Sequence, residues 1–190
     1  MVPYEFSAER FSRWMAYALR HNPQRYGLTP DRHGYVDLEA LLQIAQRRYP
    51  GVSPQRLREF LQSGEAVRFQ VDGFLVRARY GHSIPVDPVG PPVEPPPQLY
   101  HGTEAARVAS ILADGLVPID RRLLHLSETL EEAWAVAARK YERPAVMRIS
   151  ARDAHRSGVA FHRERSVYLA SHIPASFLAA EAAPSPAIES

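Results

Sequence analysis

The stretch "PVDPVGPPVEPPP" at residues 85–97 limits the architecture more than any other part of the chain. Seven of its thirteen residues are proline. Proline fixes φ and offers no N–H, so neither a helix nor a central strand can run through such a segment, which favours an extended, semi-rigid spacer. The chain is therefore expected to divide into a first lobe at 1–85, a linker at 86–97 and a second lobe at 98–182. The end, 183–190, "APSPAIES", reads as a disordered tail. A long surface loop within one domain is the alternative reading of the proline segment.

With 190 residues, 45% of them hydrophobic and 23% charged, two small lobes can each bury a core. The absence of cysteine excludes a disulfide framework, a thiolate nucleophile and the usual structural zinc sites. No apolar run approaches membrane-spanning length, and "MVPYEFSAERFSRWM" has no basic start followed by an apolar stretch, so the expectation is a cytoplasmic chain with no membrane partner. Charge is unevenly spread. Residues 1–85 hold 12 Arg against 8 acidic residues, whereas 98–190 hold 11 of each sign. A polyanion would dock on the first lobe. Lys140 is the one lysine, so nearly every cation is a guanidinium; that suits bidentate phosphate contact, but a compositional bias is the favoured reading.

Periodicity predicts the elements. "SAERFSRWMAYALRH" spaces Phe11, Trp14, Met15, Ala18 and Leu19 as one helical face, giving a helix over about Ala8 to His21. Asp37 opens a second helix, "LEALLQIAQRR", and "SPQRLREFLQSG" is a third with Ser53 as N-cap, Pro54 in the first turn and Gly64 as the stop. "AVRFQVDGFLVRAR" alternates around Asp72-Gly73, a hairpin signal. Three helices and then a hairpin is the order of a winged-helix module. The second lobe mixes strands ("LYHGT", "LLHLS", "AVMRIS", "SVYLAS") with helices ("EAARVASILADG", "TLEEAWAVAARKY") and a loop-like "ARDAHRSGVAFHRER". The expected class is α+β.

Several nucleotide and hydrolase signatures are missing: no G-x-G-x-x-G, no P-loop, no G-x-S-x-G elbow, no H-E-x-x-H. Nothing in the pattern argues for a metal. What remains are arginines and histidines in distinctive settings. Arg20 and His21 close a helix, where cations face the negative end of the macrodipole, an arrangement that is sufficient as a structural reason. Arg77 lies on a hairpin strand in "VRARYGHS", and Arg121 and Arg122 follow a helix stop in "DGLVPIDRRLLHLS"; each is equally readable as solvated surface charge.

Taken together, these stretches resemble one family, the NAD-dependent RNA 2′-phosphotransferases, which remove the splice-junction 2′-phosphate of tRNA in eukaryotes and also occur in bacteria and archaea. "LRHNP" is similar to the family's Leu-Arg-His-x-Pro, "GLTPDRHGYVDLEALL" to its Gly-Leu-x-x-Asp-x-x-Gly-Trp-Val, and "VRARYGHS" to its Ile-Arg-Ala-x-x-Gly-His-Ser. "LYHGT", "GLVPIDRRLLHLS" and "SVYL" follow in family order, so the likeness runs from about Phe11 to Phe177. It implies a catalytic set of Arg20, His21, Arg77 and Arg121. It also implies that the second lobe resembles the ADP-ribosyltransferase fold, with His101, His125 and Val167 marking an NAD site and Gly102, Thr103 and Ser127 beside them. Leu123 stands where the family has a His, Ile119-Asp120 where it has Met and a basic residue, and Tyr168 where it has Trp.

The implied reaction is a two-step transfer of an internal RNA 2′-phosphate to NAD, the co-substrate, on a tRNA-like RNA, by a monomer needing no metal. Guanidiniums supply fixed, paired donors to a phosphate that is close to dianionic. His21, whose ordinary pKa lies near neutrality, is the candidate general acid for the leaving RNA 2′-oxygen, or else a hydrogen-bond partner of a substrate hydroxyl. Two other readings stay open: a nucleic-acid-binding regulator with an inert second lobe, and an ADP-ribosyltransferase acting on terminal phosphates or on protein.

Overall fold

The computed structural model describes residues 7–63 and 67–182. It separates into two compact units that meet in sequence at Val89 and Gly90, with residues 120–122 grouping with the first unit and the rest of 90–182 with the second. Among the described residues no helix is long and apolar enough to cross a membrane.

The first unit is built on α1 (Ala8–Arg20), where Ser7 Oγ accepts from the Arg10 N–H and so satisfies one of the orphan donors of the first turn. Its apolar face (Phe11, Trp14, Met15, Ala18 and Leu19) is buried at the spacing the sequence predicts. Phe11 packs edge-on against Phe60 and Tyr49, with ring centroids 5.3 and 5.5 Å apart. The helix stops at His21, and Pro23 opens a 3₁₀ turn through Tyr26 that ends on Gly27 in the left-handed region. A two-residue strand β1 (Val36–Asp37) leads into α2 (Leu38–Arg48), whose Asp37 cap accepts from the Ala40 N–H. Next come α3 (Pro54–Gln62), capped by Ser53, and the strands β2 (Phe69–Asp72) and β3 (Leu75–Ala78). The sheet order is β1-β3-β2, antiparallel throughout.

Two expectations need adjustment here. The hairpin pairs Asp72 with Leu75, so the turn is Gly73-Phe74 and not Asp72-Gly73. Gly73 alone has positive φ, at 56°, which suits a turn that needs glycine only at its first central position. Gly64, the expected stop of α3, lies outside the described residues, as does the tail at 183–190; Ser63 caps α3.

The second unit holds a six-stranded antiparallel sheet of order β7-β8-β5-β4-β6-β9. Its strands are β4 (Leu99–Glu104), β5 (Leu124–Ser127), β6 (Pro144–Ile149), β7 (His162–Glu164), β8 (Val167–Ala170) and β9 (Leu178–Glu181). Helices α4 (Val108–Asp114), α5 (Leu130–Lys140) and α6 (Ala151–Arg156) complete it. The core gathers Leu99, Ile111, Leu124, Leu126, Met147, Ile149, Phe161 and Ile173. "ARDAHRSGVAFHRER" is not a loop: it carries α6 and β7. The six-residue α6 is too short to show a periodic apolar face, and it is held by burial of Ala151 and Ala154. The mixed α/β content with two sheets agrees with the expected α+β class.

Candidate functional site

The end of α1 and the segment after β3 build one polar cluster in the first unit. The Arg20 carbonyl, one of the orphan acceptors of the last turn, accepts from the Ser83 N–H at 3.0 Å. His21 Nδ1 lies 3.0 Å from Ser83 Oγ. The Arg20 guanidinium sits over the Tyr80 ring, 5.4 Å from its centroid. A Cβ on Gly81, whose φ is 89°, would sit 3.4 Å from Arg20 Cδ and Nη1. Nε and Nη2 of Arg20 are buried and have no partner among the described residues. Orphan buried donors of this kind are costly and mark a place where an acceptor is missing.

Arg77 is almost wholly buried, at 2% exposure, which is far from the solvated strand face that a lone arginine suggests. Its Nε and Nη2 donate to Gln70 Oε1 at 3.0 and 2.7 Å, and its Nη1 to the Arg79 carbonyl at 3.3 Å. The Tyr35 ring lies 5.3 Å from its Cζ. Gln70, opposite Arg77 in the hairpin register, also accepts from Arg79 Nη1. Arg121 is exposed, and the next residue's N–H donates to the His82 carbonyl at 3.0 Å.

The electrostatics follow from crowding cations. Burial, with Arg68 and Arg121 adding and Tyr80 opposing, brings the Arg20 pKa down to about 10, so it stays charged at neutral pH. His21 is pushed below its ordinary value by burial first and then by Arg20 and Arg121. His82, buried and with Nε2 unpartnered, is pushed down to about 4 by burial and then by Arg20, Arg77 and His21. It is neutral at pH 7. The structure thus brings Arg20, His21 and Arg121 together, with Arg77 joined to them through His82. A multiply charged anion would relieve the repulsion among them.

The expected cofactor residues of the second unit fall into two groups. Cross-strand pairing sets Ser127 opposite both Val167 and Tyr100, so Ser127, Val167 and, two residues along β5, His125 share one face with Tyr100 and Gly102. His101 and Thr103 alternate to the other face. A hydrogen bond joins the groups: His101 Nδ1 lies 2.9 Å from the His125 carbonyl. A carbonyl only accepts, so Nδ1 carries the proton and Nε2 is the ring's acceptor in the neutral form. The Thr103 hydroxyl is buried without a partner among the described residues. Gly102 has a packing reason: a Cβ there would meet the Ala133 carbonyl oxygen at 2.7 Å and Ala137 Cβ at 2.9 Å. Tyr168, at the family's Trp position, is buried with Arg163 Cζ 5.3 Å from its ring centroid.

Sequence reasoning missed Gln70, His82 and Ser83. The Asp72-Gly73 turn expected from sequence sets Arg77 opposite Arg68, and only the observed Gly73-Phe74 turn sets it opposite Gln70. His82 and Ser83 lie in a stretch without regular structure, and only the quoted "GHS" hinted at them.

Residues 7–172 match the family profile described as RNA 2′-phosphotransferase, Tpt1 / KptA family. A probable RNA 2′-phosphotransferase of Streptomyces coelicolor is 40% identical over 170 residues, covering 89% of this chain and 93% of that protein. One of Lacticaseibacillus paracasei is 38% identical, covering 89% and 91%. A third, from Archaeoglobus fulgidus and named probable RNA 2′-phosphotransferase 1, is 33% identical, covering 94% and 82%.

Proposed function

The chain belongs to the RNA 2′-phosphotransferase, Tpt1 / KptA family, and from that premise we propose that it transfers an internal 2′-phosphate of a tRNA-like RNA to NAD in two steps. The first unit is read as a winged-helix lobe that receives the RNA, and the second as an ADP-ribosyltransferase-like lobe for NAD. The reading includes a cytoplasmic monomer that needs no metal.

The observation that carries the reading is the Arg20 guanidinium, buried with two orphan donor nitrogens beside His21 and near Arg121. A phosphate dianion supplies what these groups lack: acceptors for the donors and charge to offset the cations. Arg77, held rigid by Gln70 and Arg79, adds a fixed cation whose orientation costs nothing at the moment of reaction. NAD supplies an anomeric carbon whose bond to nicotinamide breaks when a phosphate oxygen attacks, and a neighbouring 2″-hydroxyl for the second step. That hydroxyl gives up its proton to solvent as its oxygen attacks phosphorus, the bond to the RNA 2′-oxygen breaks, and His21 gives that oxygen a proton. The products are 2′-OH RNA, nicotinamide and ADP-ribose 1″,2″-cyclic phosphate.

His21 is poorly protonated at neutral pH in the free protein, because burial and its cationic neighbours oppose the charge. A bound dianion reverses the local sign and raises its pKa, so the acid is armed by the substrate it serves. In the second unit, His101 Nδ1 is turned to the His125 carbonyl, and the buried Thr103 hydroxyl lacks a partner among the described residues. We assign NAD to His101, Gly102, Thr103, His125, Ser127 and Val167 because these positions match the family's NAD-site segments.

The test is incubation of the protein with NAD and a short RNA bearing one internal 2′-phosphate, with products resolved by gel and mass spectrometry. Loss of the phosphate with formation of nicotinamide and the cyclic phosphate supports the reading. A stable ADP-ribosylated RNA supports transfer without the second step. Intact NAD and RNA, from protein that binds duplex nucleic acid in a salt-dependent way, overturns it in favour of a binding role.

A further inference from the structure

We propose that Ser83 is the positioning residue of the cluster: its hydroxyl oxygen accepts from His21 Nδ1–H and thereby presents Nε2 as the nitrogen that serves the RNA 2′-oxygen. The proposal rests on the reading of His21 as proton donor given above.

The geometry is a two-point clasp. One residue, Ser83, bonds both members of the Arg20–His21 pair: its N–H donates to the Arg20 carbonyl at 3.0 Å and its Oγ meets His21 Nδ1 at 3.0 Å. The backbone bond fixes Ser83 against the end of α1, so its hydroxyl is already in place when the imidazole rotates. Its neighbours hold the same ground. The close approach of Arg20 to Gly81 is made with a backbone of positive φ, which only glycine adopts without strain, and the His82 carbonyl holds the Arg122 N–H.

The clasp also answers an electrostatic problem. The groups facing His21 are Arg20, on its own element, Arg121 and His82 from elsewhere in the unit, and the Tyr17 ring, 6.0 Å away between centroids. Both arginines oppose the imidazolium. A hydroxyl oxygen at Nδ1 gives the imidazolium an acceptor, which favours the charged form that a general acid requires. Without the clasp the ring turns freely about χ1 and χ2 and loses a defined donor nitrogen.

The experiment has two arms, each with wild type, Ser83→Ala and Ser83→Thr, all checked for an unchanged thermal melt. In the first, the ¹⁵N and ¹H resonances of His21 are titrated on the protein alone, assigned with His21→Gln. The expected result is an Nδ1–H tautomer in wild type, loss of that bias and a lower His21 pKa in Ser83→Ala, and restoration in Ser83→Thr. In the second, the two chemical steps are followed by single turnover across pH. The second step needs protonated His21, so its rate falls as pH rises through the His21 pKa. Ser83→Ala should slow this step about tenfold and move the fall to lower pH, leave the first step within about twofold, and be rescued by Ser83→Thr. Unchanged His21 titration in Ser83→Ala, or equal slowing of both steps without rescue, overturns the proposal. If wild type consumes no NAD, the functional reading fails, and the titration on the protein alone decides the clasp.

Discussion

The two units handle polar groups in opposite ways. In the first, charge is concentrated and partly desolvated: Arg77 is buried with donors on Gln70 and the Arg79 carbonyl, Arg20 keeps orphan donors, and two histidines are driven toward neutrality by burial first and then by the cations around them. In the second, the candidate groups are placed by strand register: a histidine whose Nδ1 is turned to a carbonyl, a buried threonine hydroxyl, and a glycine required by a helix. The first arrangement stores repulsion that a phosphate dianion can discharge. The second stores geometry. A protein that must hold an anionic group of RNA and a largely neutral ribose chemistry has use for both, and substitutions should separate them by sign as well as by size.

The largest effect is expected at Arg20. Arg20→Ala should lower the rate of phosphate transfer by roughly 10²–10³, the scale for losing one preorganised donor to a developing or bound anion. The same change should leave the thermal melt unchanged or raise it, because it removes a buried charge with unpartnered donors. A fall in both activity and stability would erase the contrast between the units. His101→Ala should instead weaken NAD, read as a higher KM for NAD with binding of the phosphorylated RNA preserved.

His82 gives the next effect, through pH. Its folded pKa of about 4 lies below the ordinary 6.5, so between those values the unfolded chain binds a proton that the folded chain refuses. Stability is full above pH 6.5 and is lost as pH falls toward 4, by up to about 3 kcal/mol. His82→Gln should flatten that part of the stability profile, measured by denaturant unfolding at pH 7, 5.5 and 4.5. A slope unchanged by the substitution would place the acid sensitivity elsewhere.

In the second unit the sharpest stability effect is expected at Gly102. Gly102→Ala pushes a methyl against the Ala133 carbonyl and Ala137, and should cost about 1–3 kcal/mol in a thermal or denaturant melt. Arg122→Ala should be the mildest change. Its side chain is exposed and it is its backbone N–H that donates to the His82 carbonyl, so activity should stay within about threefold of wild type. Equal losses at Arg121 and Arg122 would mean that the cluster is set by net charge and not by position.

How far sequence alone reached differs between the same two regions. The helices of the first unit were readable because their signals are local: Ser7, Asp37 and Ser53 cap where a cap is needed, and the Phe11 face repeats at helical spacing. In the second unit α6 and β7 escape a sequence reading, since six- and three-residue elements carry too little periodicity to stand out, even though β7 pairs with its immediate neighbour β8 across a two-residue turn. Resemblance picked out Arg20, His21, Arg77 and Arg121, but burial of Arg77 on Gln70 and the hold of Ser83 on His21 are tertiary facts. The pairing of Ser83 with His21 spans 62 residues, and no local pattern predicts it.

The measurement that tests the central claim most directly compares the binding of two RNAs that differ only in one internal 2′-phosphate, to wild type and to Arg20→Met, at fixed salt. The account predicts that wild type favours the phosphorylated RNA by at least about tenfold and that Arg20→Met loses most of that preference while remaining folded. Equal affinity of wild type for the two RNAs would contradict it.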